Sequence, residues 1–351
     1  MAANLTTIAI NARKSIKYGL AGIIAILILR SLFGFAVNVY RQVFPKKIAP
    51  NVKFGALTSI PFPPKTGLPE FEYSLELPTG SFPALPEIAK VFYIPKDDVS
   101  LQSSEMAKGR AGQLGFNTEP ISKDGTIYKF SHPKISATLE MNIVSGIFNI
   151  SYNLAADPIP LEKQPPDPNQ AASIVKTFLN KAQILPEDLN GNLSQEYLRV
   201  DSQGLSTALS LSEANLIKIN LFRSPIDEID PVTADPNTSN VWFILSGESE
   251  GQRQIIAAEF HHFNVDDQQV GTYPLIKASE AMETLKAGKG YIASLGQNQD
   301  GKVIIRRIYL GYYDPGLYTS YYQPVIVFEG DRGFKAYVPA VTAQYYGAEV
   351  K

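Results

Sequence analysis

The stretch from Tyr18 to Tyr40, YGLAGIIAILILRSLFGFAVNVY, limits what this chain can fold into more than any other: one apolar run, flanked by basic residues and followed by a proline-rich segment. At about 1.5 Å per helical residue it reaches roughly 34 Å, enough for a hydrocarbon core of about 30 Å with modest tilt. The run therefore predicts a single membrane-spanning helix that meets the lipid bilayer through Tyr18–Tyr40. Arg30, its one internal charge, costs about 2.5–3.5 kcal/mol at a helix centre and needs a partner or a route to the interface. A cleaved signal peptide with its core at Tyr18–Leu29 and an interfacial helix are the competing readings.

Charge supports the membrane reading. No Asp or Glu precedes Glu70, whereas nine of the 32 basic residues do; the remainder carries 23 basic against 34 acidic residues, a net of −11. Such an acidic body is repelled by phosphate backbones, which argues against nucleic-acid partners. The basic end suits an anionic membrane surface. Arg13, Lys14 and Lys17 before the run balance Arg41, Lys46 and Lys47 after it, so the positive-inside rule does not choose an orientation. The order of anchor, spacer and long acidic body places the amino terminus in the cytoplasm and the body outside. The absence of cysteine excludes disulfides and thiolate chemistry; a body this long without disulfides suggests a prokaryotic source. The Asn-x-Ser/Thr triplets at Asn149, Asn192 and Asn237 then carry little meaning.

After the basic tail and anchor (1–44) comes a Pro-rich linker (45–69), expected to be either an extended spacer or an arm lying on the first domain. A first α+β domain spans 70–160. It ends at the proline-rich break DPIPLEKQPPDP, and a second α+β region covers 161–351, divisible into units at 168–265 and 266–345. One plan recurs, a helix and then antiparallel strands. Helices are predicted at Ser103–Leu114, with a Ser cap, at Asn169–Ala182 and at Ala278–Ala287. Strands are expected at 71–77, 89–94, 126–130, 137–154 (a hairpin turning at Ser145-Gly146), 196–201, 214–222, 241–246, 254–265, 302–313, 323–329 and 333–339. The fold class is α+β, with antiparallel sheets each covered on one face.

Three C-terminal segments, TYPLIKASEAMETLKAGKGYI, KVIIRRIYLGYYDP and YYQPVIVFEGDRGFKAYVPAV, resemble an uncharacterised family of single-span membrane proteins from Patescibacteria-type bacteria. The likeness extends to KVFYIP, LSLSEANLIKINLFR and SNVWFILSGE. More distantly, the helix–strand–hairpin unit, with Glu280-Ala281 on the helix and an aromatic strand at Tyr309–Tyr313, is similar to PepSY domains and to the YycH/YycI group of regulatory ectodomains. That resemblance implies a fold and a regulatory topology, and no functional residue is carried over.

Candidate chemistry is sparse. His261 and His262 lie near Glu259, Asp266 and Asp267, but on a strand neighbouring imidazoles point to opposite faces, so a solvated strand face is the expectation. His132 reads as a turn residue. Asp227, Glu228, Asp230 and Asp235 lack the glycine hinge of a calcium loop. Asn298–Gly301 reads as a hairpin turn, Ser246–Ser249 as a turn, and Gly288–Gly290 as a helix stop rather than a phosphate loop. No catalytic residue, cofactor or metal is assigned. The best surface candidate is aromatic: Tyr312, Tyr313, Tyr318, Tyr321 and Tyr322, expected to grip a peptide or glycan partner. The expected function is a membrane-anchored extracytoplasmic binding or regulatory ectodomain with a membrane or envelope protein partner. A cell-envelope hydrolase and a structural spacer are the alternatives.

Overall fold

The computed structural model describes residues 49–348 apart from 101, 203 and 249–252, together with scattered positions between 18 and 34. Most of Tyr18–Tyr40 therefore lies outside the described residues; Arg30 is helical and exposed. Among the described residues no helix is long and apolar enough to cross a membrane. Pro50–Lys351 forms one compact unit, distinct from Met1–Ala49.

Strands β1 (Leu57–Thr58), β2 (Glu72–Leu75) and β3 (Ile88–Tyr93) come first. Helix α1 (Ser103–Gln113) is followed by β4 (Ile121–Ser122), β5 (Ile127–Ser131), β6 (Ala137–Asn142) and β7 (Phe148–Tyr152). Helix α2 (Pro168–Lys181) leads into β8 (Leu193–Asp201), β9 (Gly204–Thr207), β10 (Leu216–Leu221), β11 (Pro231–Val232), β12 (Val241–Leu245), β13 (Ile255–Phe260) and β14 (Asp266–Pro274). Helix α3 (Ala278–Lys286) precedes β15 (Tyr291–Ser294), β16 (Lys302–Tyr313), β17 (Tyr321–Gly330), β18 (Lys335–Pro339) and β19 (Tyr346–Ala348). The repeated helix-then-strands plan is present three times, and the class is α+β.

The first two repeats fuse into one nine-stranded sheet, ordered β4-β5-β6-β7-β13-β12-β10-β8-β9. The last strand of each meander meets the other at the centre, where Phe148 and Phe260 are direct partners with rings stacked 5.0 Å apart. Strict alternation along β6 and β7 buries one face, and α1 and α2 cover it through Ala107, Ala111, Ala171, Val175 and Leu179. Each such fully buried Val or Leu contributes about 1.5–3 kcal/mol. Asp167 caps α2 by accepting from the backbone N–H of Asn169 and Gln170. The expected Ser cap of α1 is absent: Gln102 holds the cap position without a side-chain bond, because Ser103 Oγ accepts instead from the Ser100 N–H and closes the preceding turn.

The second sheet corrects the expected domain limits. Its spine is β11-β16-β17-β18-β15, joined by β2 parallel to β16 and by β3 paired with both β17 and β14. Residues 72–93 thus belong with the C-terminal strands, not with a 70–160 domain. The break at 157–168 is only a link between two repeats of a single sheet. The chain passes from the first sheet to the second between β13 and β14. Helix α3 covers one face of the second sheet through Ala281, Met282 and Leu285.

The opposite face is covered by residues 51–65, so this part of the linker is an arm rather than a spacer, and it lies on the second sheet rather than on the first domain. Leu57 and Ile60 are buried, β1 pairs parallel with β19, and Phe62 stacks 4.7 Å from Tyr291. Pro61, Pro63 and Pro64 have no backbone donor, and both carbonyls and side chains meet the others: Val52 N–H donates to the Thr272 carbonyl, Phe54 N–H to the Tyr273 hydroxyl and Ile60 N–H to that of Tyr346. The Asn298–Gly301 turn is real, with Gly301 at φ +73°, yet it is no hairpin, since β15 pairs with β18 rather than with β16.

Candidate functional site

Where the two sheets meet, Arg223 leaves the end of β10 and is buried. Its Nε lies 2.9 Å from Asp314 Oδ1, its Nη1 2.6 Å from Asp188 Oδ2, and its Nη2 donates to the Phe263 carbonyl. The guanidinium stands 5.7 Å from the Tyr322 ring centroid. Asp188 uses its other oxygen to hold His262 Nε2 at 2.7 Å. Asp314 follows β16 of the second sheet, while Asp188, Arg223 and His262 come from loops of the first, so one planar fork ties the sheets together.

Burial opposes ionisation of Asp188, but the His262 hydrogen bond and the Arg223 charge outweigh it and hold the carboxyl below its ordinary range. Burial pushes the His262 imidazole down, against the pull of Asp188 and Asp314 and with the help of Arg223. His261 is also held low by burial, despite Glu259 and a hydrogen bond to the Gly316 backbone; His132 is lowered by burial and by Lys134. All three histidines thus bind protons less readily when folded. Below the free value near 6.5 the unfolded chain takes up the protons first, so stability is full above that pH and is lost as pH falls through it. Urea midpoints should therefore drop from about pH 7.5 to about pH 5.5, and the drop should be shallower in His262→Gln. A midpoint that rises on acidification would contradict this.

The expected strand ends at Phe260, so the histidine pair lies in the loop just past β13 rather than on a strand face, and neither ring is solvated. His261 Nε2 meets Asn149 Oδ1 at 3.0 Å and His262 is locked in the network. Glu259 accepts from the Trp242 indole and Asp266 closes its own turn. No cluster of three or more metal-ligating side chains exists among the described residues. His132 is the predicted turn residue, with Nδ1 accepting from the Lys134 and Ile135 N–H groups. The acidic loop disperses: Asp227 pairs with Lys90, and Asp235 accepts within its own turn.

The tyrosine surface needs correction. Tyr312, Tyr313 and Tyr322 are buried; Tyr312 and Tyr322 stack 5.2 Å apart beneath Arg223. Tyr321 and Tyr322 open β17 rather than lying in a loop, and pairing with β3 turns the Tyr322 ring into the core. Only Tyr318, which donates to the Ile94 carbonyl, and the half-buried Tyr321 reach the surface.

Beside Arg223 a cleft of about 760 Å³ opens between the sheets. Ser194, Glu196 and Asn220 line it from the helix-free face of the first sheet. Tyr309, Lys335 and Tyr337 line it from the second. Register explains both sets. Asn220 stands opposite Ser194, with Glu196 two positions along the same strand face, while Tyr309, Val327, Tyr337 and Tyr291 form one cross-strand row. The loops carrying Asn190–Asn192, Asp230–Thr233 and Asn237 form the rim. The Tyr337 hydroxyl is buried without a hydrogen-bond partner, and burial among other tyrosines raises its pKa far above the usual range. Sequence reasoning missed this site because its parts are single polar residues in separate strands. Its legible parts were scattered among other readings: Tyr309 in the aromatic strand, Asp230 in the acidic cluster, and Asn192 and Asn237 in the Asn-x-Ser/Thr triplets.

No protein-family profile and no curated protein matches this chain. Among solved structures, distant neighbours include the Bacillus megaterium YpeB C-terminal domain, at 12% identity over 71% of this chain and 95% of that one, with a TM-score of 0.32. An uncharacterized protein from Eubacterium rectale ATCC 33656 is similar at 12% identity over 80% and 91%, with a TM-score of 0.33. Likenesses at that depth assign no role to any residue.

Proposed function

We propose that this chain is a membrane-anchored extracytoplasmic ectodomain of the binding or regulatory kind, held by Tyr18–Tyr40 and acting on a protein or cell-envelope partner through the inter-sheet cleft. The observation that carries the reading is the pairing of a roomy cleft of mixed polar and apolar lining with an adjacent His–Asp–Arg network that is fully occupied in holding the sheets together. His262 and Asp188 have the order of a catalytic base and its orienting carboxylate. Their facing atoms, however, are spent on each other, and no serine or threonine hydroxyl among the described residues is bonded to His262. A cleft of this size falls within the roughly 300–1,000 Å³ of ligand sites.

The envelope-hydrolase reading draws on one observation, that Glu196 and Asp230 both line the cleft, as two carboxylates flank the bond in glycoside hydrolysis. Glu196 is engaged by the Thr207 hydroxyl at 2.9 Å, which weakens the pairing.

A photo-crosslinking residue at Asn237, on the cleft rim, should give a discrete adduct in intact cells, and one at exposed Lys181 should not. Protease added outside should then remove the adduct and leave a short anchored fragment. An adduct protected from protease would reverse the topology. Equal adducts at both positions would remove the cleft from the reading.

A further inference from the structure

We infer that the ligand of the cleft is an uncharged glycan segment, an inference that rests on reading the cleft as the partner site. Charge is the first reason. The charged lining residues are Glu196, Asp230, Arg223 and Lys335, which cancel formally. Arg223 is already spent on two carboxylates and a carbonyl, so a phosphate or carboxylate ligand would find one ammonium facing two acids. An anion is disfavoured there.

Hydrogen-bonding capacity is the second. Five lining residues are carboxamides. Asn190 is engaged with Lys176 and Glu187, and Asn220 accepts from Ser239. Asn192 and Asn237 keep side chains without a hydrogen bond among the described residues, whereas Gln195, between Ser194 and Glu196 on β8, points to the other face. Each free carboxamide presents donors and an acceptor together, which matches a sugar hydroxyl, itself both donor and acceptor. Tyr337 is fully buried and out of a ligand's reach. Tyr309 shares its row and offers an aromatic body beside a polar tip. A peptide partner would be anchored instead by large side chains in apolar pockets, and the apolar lining here, Phe222, Val232 and three prolines, is interspersed with the polar residues.

Trp242 is the only tryptophan in the chain and stands directly opposite Asn220, so its fluorescence reports on the cleft floor. The full chain in detergent micelles should show saturable fluorescence and calorimetric changes with β-1,4-linked tetramers of glucose or N-acetylglucosamine, and none with inorganic phosphate or tetra-alanine. Tyr309→Ala should weaken sugar binding about fivefold to tenfold with little change in melting temperature, because Tyr309 is only partly buried. Asn192→Ala with Asn237→Ala should weaken binding further, with no change in melting temperature. Binding of tetra-alanine but not of sugar would overturn the glycan assignment and keep the cleft. Sugar binding unaffected by all three changes would place the glycan elsewhere. Silence with every probe, together with loss of the Asn237 adduct described above, would remove the cleft itself.

Discussion

Arg223→Ala is expected to destabilise the folded body by about 3–5 kcal/mol, the usual cost of removing one partner from a buried ion pair. Asp314 has a side chain only 8% exposed and would be left without its cation. The Phe263 carbonyl would lose its donor, and the Tyr322 ring the guanidinium above it. Arg223→Lys should recover little, because an ammonium cannot reach Asp188, Asp314 and the Phe263 carbonyl as a planar fork does. The double change Arg223→Met with Asp314→Leu should recover most of the loss, since apolar replacements of a buried pair are often neutral or better. Chemical denaturation of the three variants checks this. A cost below about 1 kcal/mol for Arg223→Ala, the range of exposed pairs, would mean that the network does not hold the sheets.

Gly191→Ala is expected to be nearly as damaging, through sterics alone. A Cβ there would stand 1.9 Å from the Arg223 carbonyl oxygen, 2.5 Å from its carbon and 2.8 Å from the Phe222 oxygen. All three are backbone atoms that no rotamer can move. The Gly191 N–H also donates to Phe222 O at 3.0 Å, so lifting the loop breaks that bond and draws Asp188 away from Arg223. Overpacking of about 1–3 kcal/mol plus a lost hydrogen bond of about 0.5–1.5 kcal/mol predicts a loss of roughly 2–4 kcal/mol. Gly109→Ala is the control: it lies inside α1 with nothing within 4 Å of the new Cβ and should stabilise by about 0.5–1 kcal/mol. If the two changes had equal effects, the close approach of loop 188–192 to the end of β10 would be wrong.

Elements were legible where their signal is local. Helices α2 and α3 show as apolar stripes, α1 only through the Ser and Gly that bound it, and the Ser145-Gly146 hairpin as turn chemistry; β16 runs over Lys302–Tyr313 as expected. β14 was not legible, because DDQQVGTYP carries no strand periodicity and is held extended by its ladder with β3. β15 was missed as a four-residue run between helix and turn. The tyrosines were misjudged because a ring on a strand reads the same whether its face meets solvent or another layer. Only the register of β16, β17 and β3 shows that Tyr312 and Tyr322 face inward.

By itself, then, the sequence determined the apolar run at 18–40, the uneven charge, the α+β class and the repeated helix-then-strand plan, all of which depend on residues near one another in the chain. Which strands share a sheet, where the arm lies and what forms a site were decided only by tertiary pairing. Arg223 and Asp314 are 91 residues apart and each reads as an ordinary surface charge. Ser194 and Tyr337 acquire meaning only when two sheets turn their faces toward one cleft. Local periodicity specifies which side of an element is apolar, whereas the partner that covers that side is chosen by burial and backbone pairing summed over the whole fold.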